Sequence, residues 1–218
     1  MPGPGKRGKY LGFVAHEIKN PLATALWSCD LLKRMGPEDR GGERAEKMID
    51  VSLRALRRMR RLIDDFFTIE RLLEHGYELK RDRVALRDLV EPALRNLTEK
   101  DAVATDGWVL ELDDAATTTG DPDMLRRAVR LSLEHMARAS PRPRLSVTVR
   151  PDGASVSLYI RAETSPAPLI PPEPEERPSG DPAGAVLGFA LASRVLEAHG
   201  GRIEEREGGL WLSFPETT

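Results

Sequence analysis

Only one of the 218 residues is a cysteine, Cys29. A lone cysteine excludes an internal disulfide framework and fits a reducing compartment. It falls on the apolar stripe of the first helix described below, so it reads as a packing residue. Long apolar runs are missing too: none approaches the roughly 20 residues that cross a bilayer. Residues 1–9 form a Pro/Gly/Lys tail without the apolar centre of a signal peptide. The expectation is a cytoplasmic protein with a flexible tail at 1–9 and no membrane partner. A signal would then arrive through another protein, unless the chain is a fragment. Charge imbalance is the third absence, with 33 Lys and Arg against 35 Asp and Glu. So even a balance gives no global electrostatic case for nucleic acid or an anionic membrane. What is present is a 40% hydrophobic content, enough for a core, in a chain long enough for one ordinary domain and a smaller one.

From residue 10 the apolar positions Leu11, Val14, Ile18, Leu22, Ala25, Cys29 and Leu32 alternate in steps of three and four, the period of an amphipathic helix. Gly36 and Pro37 end it, and residues 39–42 make a polar turn. A second run follows at Met48, Val51, Ala55, Met59, Leu62, Phe66, Ile69 and Leu73. So short a link predicts an antiparallel helical hairpin over 10–76. The second helix carries a further apolar row, Ile49, Leu53, Leu56, Ile63 and Phe67, wider than one partner helix covers. Pairing two hairpins into a four-helix bundle buries both rows, which predicts a homodimer.

Residues 16–22 read HEIKNPL. His16 lies two residues past Val14, about 200° round the helix, and so points away from the stripe. Asn20 is one turn later on the same face, and Glu17 is adjacent. Pro21 cannot donate to the carbonyl of Glu17, which loosens or bends the helix below the histidine. Proline in a helix interior costs about 3 kcal/mol, a penalty that favours a purpose over chance.

HEIKNPL resembles the H-box of the two-component sensor histidine kinases, in their dimerisation and histidine-phosphotransfer domain. That resemblance implies that His16 is phosphorylated on a ring nitrogen, by nucleophilic attack on phosphorus. It implies that Glu17 activates the ring, and that Asn20 holds the position that orients water against a partner's phosphoaspartate in members with phosphatase activity. Arg57, Arg58, Arg60 and Arg61 fall near the level of His16 on the second helix. They form either a basic collar that steers the acidic pocket of a response-regulator receiver domain or a solvated helix face.

The second half reads as strands and helices in mixed order. A strand is expected at 84–86, a helix at 89–97, strands at 108–112 and 117–120, and a helix from Pro122 to about residue 139, with Asp121 as its N-cap. Strands at 145–149 and 155–160 flank the turn at 151–153. A proline-laden loop spans 163–184, a helix covers 185–198 and stops at His199-Gly200-Gly201, and strands at 202–206 and 210–214 close the chain. This is an α+β sandwich over 84–215, a mixed sheet covered on one face. Its order resembles the Bergerat-fold ATP-binding domain of the same kinases.

The nucleotide-contacting positions depart from that family's pattern. The magnesium-binding asparagine of its N-box falls on His135, and the preceding asparagine position holds Leu131. The Asp-x-Gly-x-Gly motif that reads adenine is replaced by Ala162 and the residues after it. Gly184 and Gly188 survive from the last glycine motif, but Val186 stands where a glycine lets backbone amides approach phosphates. Losing the adenine contact and the magnesium ligand together weakens binding by roughly two to four orders of magnitude. The expectation is a dimeric phosphotransferase that passes phosphate between receiver domains on His16. It has no resident metal and no ATP, and the receiver supplies Mg2+. The alternatives are an active kinase with a divergent ATP site, and a response-regulator-binding scaffold or phosphatase acting through Asn20.

Overall fold

The computed structural model describes residues 9–74, 78–100, 108–138, 144–163, 168–171 and 185–216. The tail before residue 9, Gly184 and most of the proline-laden loop lie outside these residues. Two compact units divide the chain: the first takes Met1–Glu70 and Glu173–Leu187, the second Arg71–Pro172 and Gly188–Thr218.

In the first unit, α1 (Lys9–Arg34) and α2 (Glu43–Leu73) form the hairpin. Glu43 and Glu46 in the first turn of α2, and Lys33 and Arg34 in the last turn of α1, each match the helix dipole. Between the helices, the Arg40 guanidinium donates to the carbonyls of Met35 at 3.2 Å and Lys33 at 3.3 Å, serving groups that a helix end leaves unpaired. The helices run antiparallel: Cys29 Sγ lies 3.7 Å from Ser52 Oγ, and Arg58 lies 3.3 Å from Glu17.

The buried row of α1 differs from the expected stripe. It is Tyr10, Val14, Glu17, Pro21, Ala25 and Ser28, while Leu11, Leu22 and Cys29 are exposed. The expectation of Cys29 as an inward packing residue is therefore corrected. The reason is that α1, like α2, has two apolar rows, and the pattern of Leu11, Leu22 and Leu26 belongs to the outer one. On α2 the inner row, with Ala55, Met59, Leu62 and Ile69 buried, follows the expected spacing. Its second row, Ile49, Leu53, Leu56, Ile63 and Phe67, lies exposed. α1 runs as one uninterrupted α-helix through Pro21.

The second unit is built from two sheets and the helices packed on them. Its main sheet has the order β2-β4-β5-β7-β6, from β2 (Val109–Leu112), β4 (Leu145–Asp152), β5 (Ser155–Ala162), β6 (Arg202–Arg206) and β7 (Gly209–Pro215). β2 runs parallel to β4 and the other pairs are antiparallel. Register places Val147, Ile160 and Leu210 side by side, then Val149, Leu158 and Leu212, so every second residue of three neighbouring strands is buried. A two-stranded sheet pairs β1 (Asp82–Ala85) with β3 (Thr117–Gly120). The turn of the last hairpin has positive φ at both Glu207 and Gly208, as a two-residue type I′ turn requires.

Helices α3 (Leu86–Lys100), α4 (Pro122–Arg138) and α5 (Ala185–Ala198) supply the other layer. α3 begins at Leu86, earlier than expected, and Leu86 belongs to a buried row with Leu89, Val90, Ala93, Leu94 and Leu97. That row is long enough to carry the helix through Pro92. Asp121 caps α4 as expected, its Oδ1 accepting from the N–H groups of Asp123 at 3.0 Å and Met124 at 3.1 Å. α5 ends in a Schellman motif: Gly200 has φ +76°, and Gly201 N–H donates to the Leu196 carbonyl at 2.8 Å. A Cβ on Gly201 would stand 2.1 Å from the Ser213 carbonyl oxygen, so only glycine lets α5 meet β7 here.

Candidate functional site

In the hairpin, the one-residue offset between His16 and Glu17 decides the geometry. At 100° per residue the two side chains diverge, and the inner row takes only one of them. The His16 side chain is 50% exposed and that of Glu17 only 3%. Nδ1 of His16 stands 3.9 Å from Glu17 Oε1, beyond hydrogen-bond range, and the other carboxylate oxygen takes Arg58 at 3.3 Å. Asn20 is exposed one turn on, and its carbonyl accepts the Thr24 hydroxyl at 3.1 Å. Pro21, buried on the inner row, leaves the carbonyl of Glu17 without its usual i+4 donor. The arrangement presents an accessible imidazole beside a desolvated, ion-paired carboxylate.

The four arginines do not act alike. Arg57, Arg60 and Arg61 are exposed, whereas Arg58 turns toward Glu17. Three residues of the expected collar thus face solvent and the fourth is a structural partner of the acid.

The positions that the resemblance assigned to nucleotide contacts make the following contacts within the chain. His135 Nε2 lies 2.7 Å from the Leu169 carbonyl, so it is the protonated nitrogen, and the ring stands 4.8 Å from Phe189 on α5. Leu169 N–H donates to Glu205 at 2.9 Å, and its side chain is buried. A Cβ on Gly188 would come within 3.1 Å of Leu131. Ala162, at the end of β5, is buried, and so is Val186 in the first turn of α5. Among the described residues no three His, Cys, Asp or Glu side chains gather as metal ligands. No helix among the described residues is long and apolar enough to cross a membrane.

One histidine that the motif reading passed over is held more tightly than His16. His199 Nε2 accepts the N–H of Asp121 at 3.0 Å, and Nδ1 donates to the Val195 carbonyl at 2.7 Å. Burial pushes its pKa below the ordinary histidine value, against the opposing effects of the Val195 hydrogen bond and the Asp121 charge. It joins the cap of α4 to the end of α5, a structural duty.

Residues 6–74 match the family model of the His Kinase A (phospho-acceptor) domain, and the rest of the chain aligns with sensor proteins. The chain is similar to the two-component sensor histidine kinases, and the matched domain takes up its first third. It is 24% identical to sensor protein VanS of Enterococcus faecium over 93% of its length, and 28% identical to sensor protein SphS of Synechococcus elongatus over 95%. It covers 54% of each, about half the length of these relatives. Its fold is that of solved histidine kinases. Acinetobacter baumannii AdeS superposes with TM-score 0.70 at 15% identity, over 93% of this chain and 98% of that one. Histidine kinase ThkA, solved in complex with the response regulator protein TrrA, gives 0.65 at 21% over 96% and 62%. The helical hairpin and the α/β sheet domain are thus the folds found in these histidine kinases.

Placing the H-box residues took only helical geometry, but two features escaped the sequence. Arg58 lies three residues after Ala55 and four before Leu62, on a row that is otherwise apolar. A charge on each of two facing apolar rows was the signal of the Glu17 pair. The grip of His135 on Leu169 spans 34 residues and had no local signal.

Proposed function

We propose that this chain receives phosphate on His16 from the receiver domain of one response regulator and passes it to another, as a homodimer and without ATP. The observation that carries the reading is a contrast. His16 stays open beside an ion-paired acid, while His135 and Gly188, which the resemblance assigns to nucleotide contacts, are taken up by Leu169 and Leu131.

The residues present do not fit ATP and magnesium. His135 spends its Nε2 proton on the Leu169 carbonyl, Leu131 packs near Gly188, and Ala162 offers no carboxylate to adenine. With Nδ1 facing Glu17, Nε2 of His16 is the outward nitrogen, and its lone pair attacks the phosphorus of a receiver aspartyl phosphate. The N–P bond forms as the P–O bond to the aspartate breaks, and the aspartate leaves as its carboxylate. Transfer onward reverses these steps on a second receiver. Each receiver brings its own Mg2+. Exposed Arg57, Arg60 and Arg61 offer positive charge to such an acidic partner, and the ThkA neighbour was solved with a response regulator. The exposed rows of α1 and α2, Leu22 and Leu26 with Leu53, Leu56, Ile63 and Phe67, form the apolar face that a second copy covers.

An active kinase is the second reading, favoured by the retained α/β domain and by the sensor relatives. Two incubations separate them. Labelled receiver phosphate should appear on His16 as an acid-labile, base-stable label, absent in His16→Ala. Labelled ATP with Mg2+ should give none. Label from ATP that His16→Ala abolishes would overturn the ATP-independent reading. No label from any phosphorylated receiver would overturn the relay, leaving Asn20 and the receiver-binding scaffold as the function to test.

A further inference from the structure

We propose that Arg58 is a positioning residue for His16, keeping the Glu17 carboxylate ionised, inside the hairpin, and turned so that Oε1 faces imidazole Nδ1. The proposal rests on the reading that His16 is the phosphoacceptor. Its starting point is an energetic anomaly. Glu17 occupies the buried row of α1 between Val14 and Pro21, with 3% of its side chain exposed. A carboxylate so desolvated either takes up a proton, swings out, or keeps an ionic partner.

The partner is built in from the other helix. Arg58 stands on the inner face of α2 beside buried Ala55, Met59 and Leu62, 26% exposed, with its guanidinium 3.3 Å from Glu17 Oε2. Pairing one oxygen fixes the rotation of the carboxylate. The other oxygen, Oε1, is thereby left on the His16 side, 3.9 Å from Nδ1. A small rotation of the half-exposed imidazole closes that gap to a hydrogen bond. Nδ1 then holds the ring proton, and the Nε2 lone pair is free to attack phosphorus. Arg58 acts here through its pair with Glu17, so its role is to position rather than to catalyse. The neighbouring Arg57, Arg60 and Arg61 are exposed and cannot replace it.

The test reads the His16 tautomer directly. Nitrogen-15 NMR of the full chain, at a pH where the imidazole is neutral, should show an excess of the Nδ1–H form. Arg58→Ala and Glu17→Gln should each remove that excess, the double variant should go no further than either single one, and Arg58→Lys should restore part of it. Transfer from a phosphorylated receiver should fall by roughly 10-fold to 100-fold in the same variants. Should Arg58→Ala fail to fold, Arg58→Gln keeps a polar donor without charge on a shorter side chain, and circular dichroism confirms its helices. A tautomer ratio unchanged in a folded Arg58 variant would overturn the proposal and leave the pair as a device of hairpin register alone. The NMR arm needs no phosphate, so an intact tautomer effect with no transfer would overturn the relay and spare the role of Arg58.

Discussion

His199 offers the sharpest test of how the α/β unit is held together. Its neutral ring bridges two helix ends: Nε2 accepts from the N–H of Asp121, a residue only 5% exposed, and Nδ1–H serves Val195. Protonation places an N–H where the Asp121 N–H needs an acceptor. That conflict adds to the burial that already pushes the His199 pKa down. The sign follows from linkage. With the folded pKa below the unfolded value of about 6.5, the unfolded chain binds the proton first. Stability from this group is therefore fully present above about pH 6.5 and is lost as pH falls toward the folded pKa. One proton can contribute at most about 1.4 kcal/mol per pH unit, and solvent at the outer edge of the ring lowers the slope beneath that ceiling. Urea unfolding followed by tryptophan fluorescence at several pH values between about 5.5 and 8 measures it, with Trp211 of β7 reporting on this unit. His199→Gln keeps an acceptor for Asp121 and removes the titration, so its stability should change less with pH than that of the parent. The other three histidines are common to both proteins and cancel. Replacement by Ala at pH 8 should cost about 1–3 kcal/mol, because a buried N–H loses its acceptor. Identical pH dependence in the parent and His199→Gln would refute the assignment.

Two further outcomes test the hairpin and the hold of His135 on Leu169. Leu56→Asp on the exposed row of α2 should turn a dimer into a monomer in sedimentation velocity while helicity persists, and a parent that is already monomeric would refute the bundle. His135→Ala should accelerate hydrogen exchange at the Leu169 amide by roughly tenfold, the equivalent of one neutral hydrogen bond lost, and unchanged exchange would show that His135 does not hold that segment.

Most of the architecture was legible where its cause is local. The period of α2, the Asp121 cap, the Gly200 stop and the alternation along β4 and β5 each follow from a few adjacent residues, and each stands where expected. The failures share a different cause. Leu11, Leu22 and Cys29 were placed inside because α1 offers two apolar rows and periodicity alone does not say which one the hairpin takes. The choice depends on α2, which accommodates Glu17 through Arg58 and so draws that row inward. Leu86 reads from sequence as the end of the strand at 84–86, and the buried row that takes it into α3 is defined by tertiary packing.

The same distinction explains why the two halves of the proposed activity can separate. A phosphoacceptor needs one exposed nucleophile and an acid at the next position, all within a single turn of helix. It survives as long as two helices stay paired. A nucleotide site needs groups from α4, from the end of β5 and from the start of α5 to converge, and each single replacement there removes a contact that the others cannot supply. On the proposed reading, Ala162 and His135 stand in place of an adenine-reading acid and a metal ligand, and the surrounding segments pack on one another instead. The grip of His135 on Leu169 and the close approach of Leu131 to Gly188 are the form that packing took. Restoring Asn at position 135 alone should therefore not restore ATP binding in a calorimetric titration, because the missing contacts lie on separate elements. Recovery of micromolar affinity by that one change would refute this account and favour the active-kinase reading.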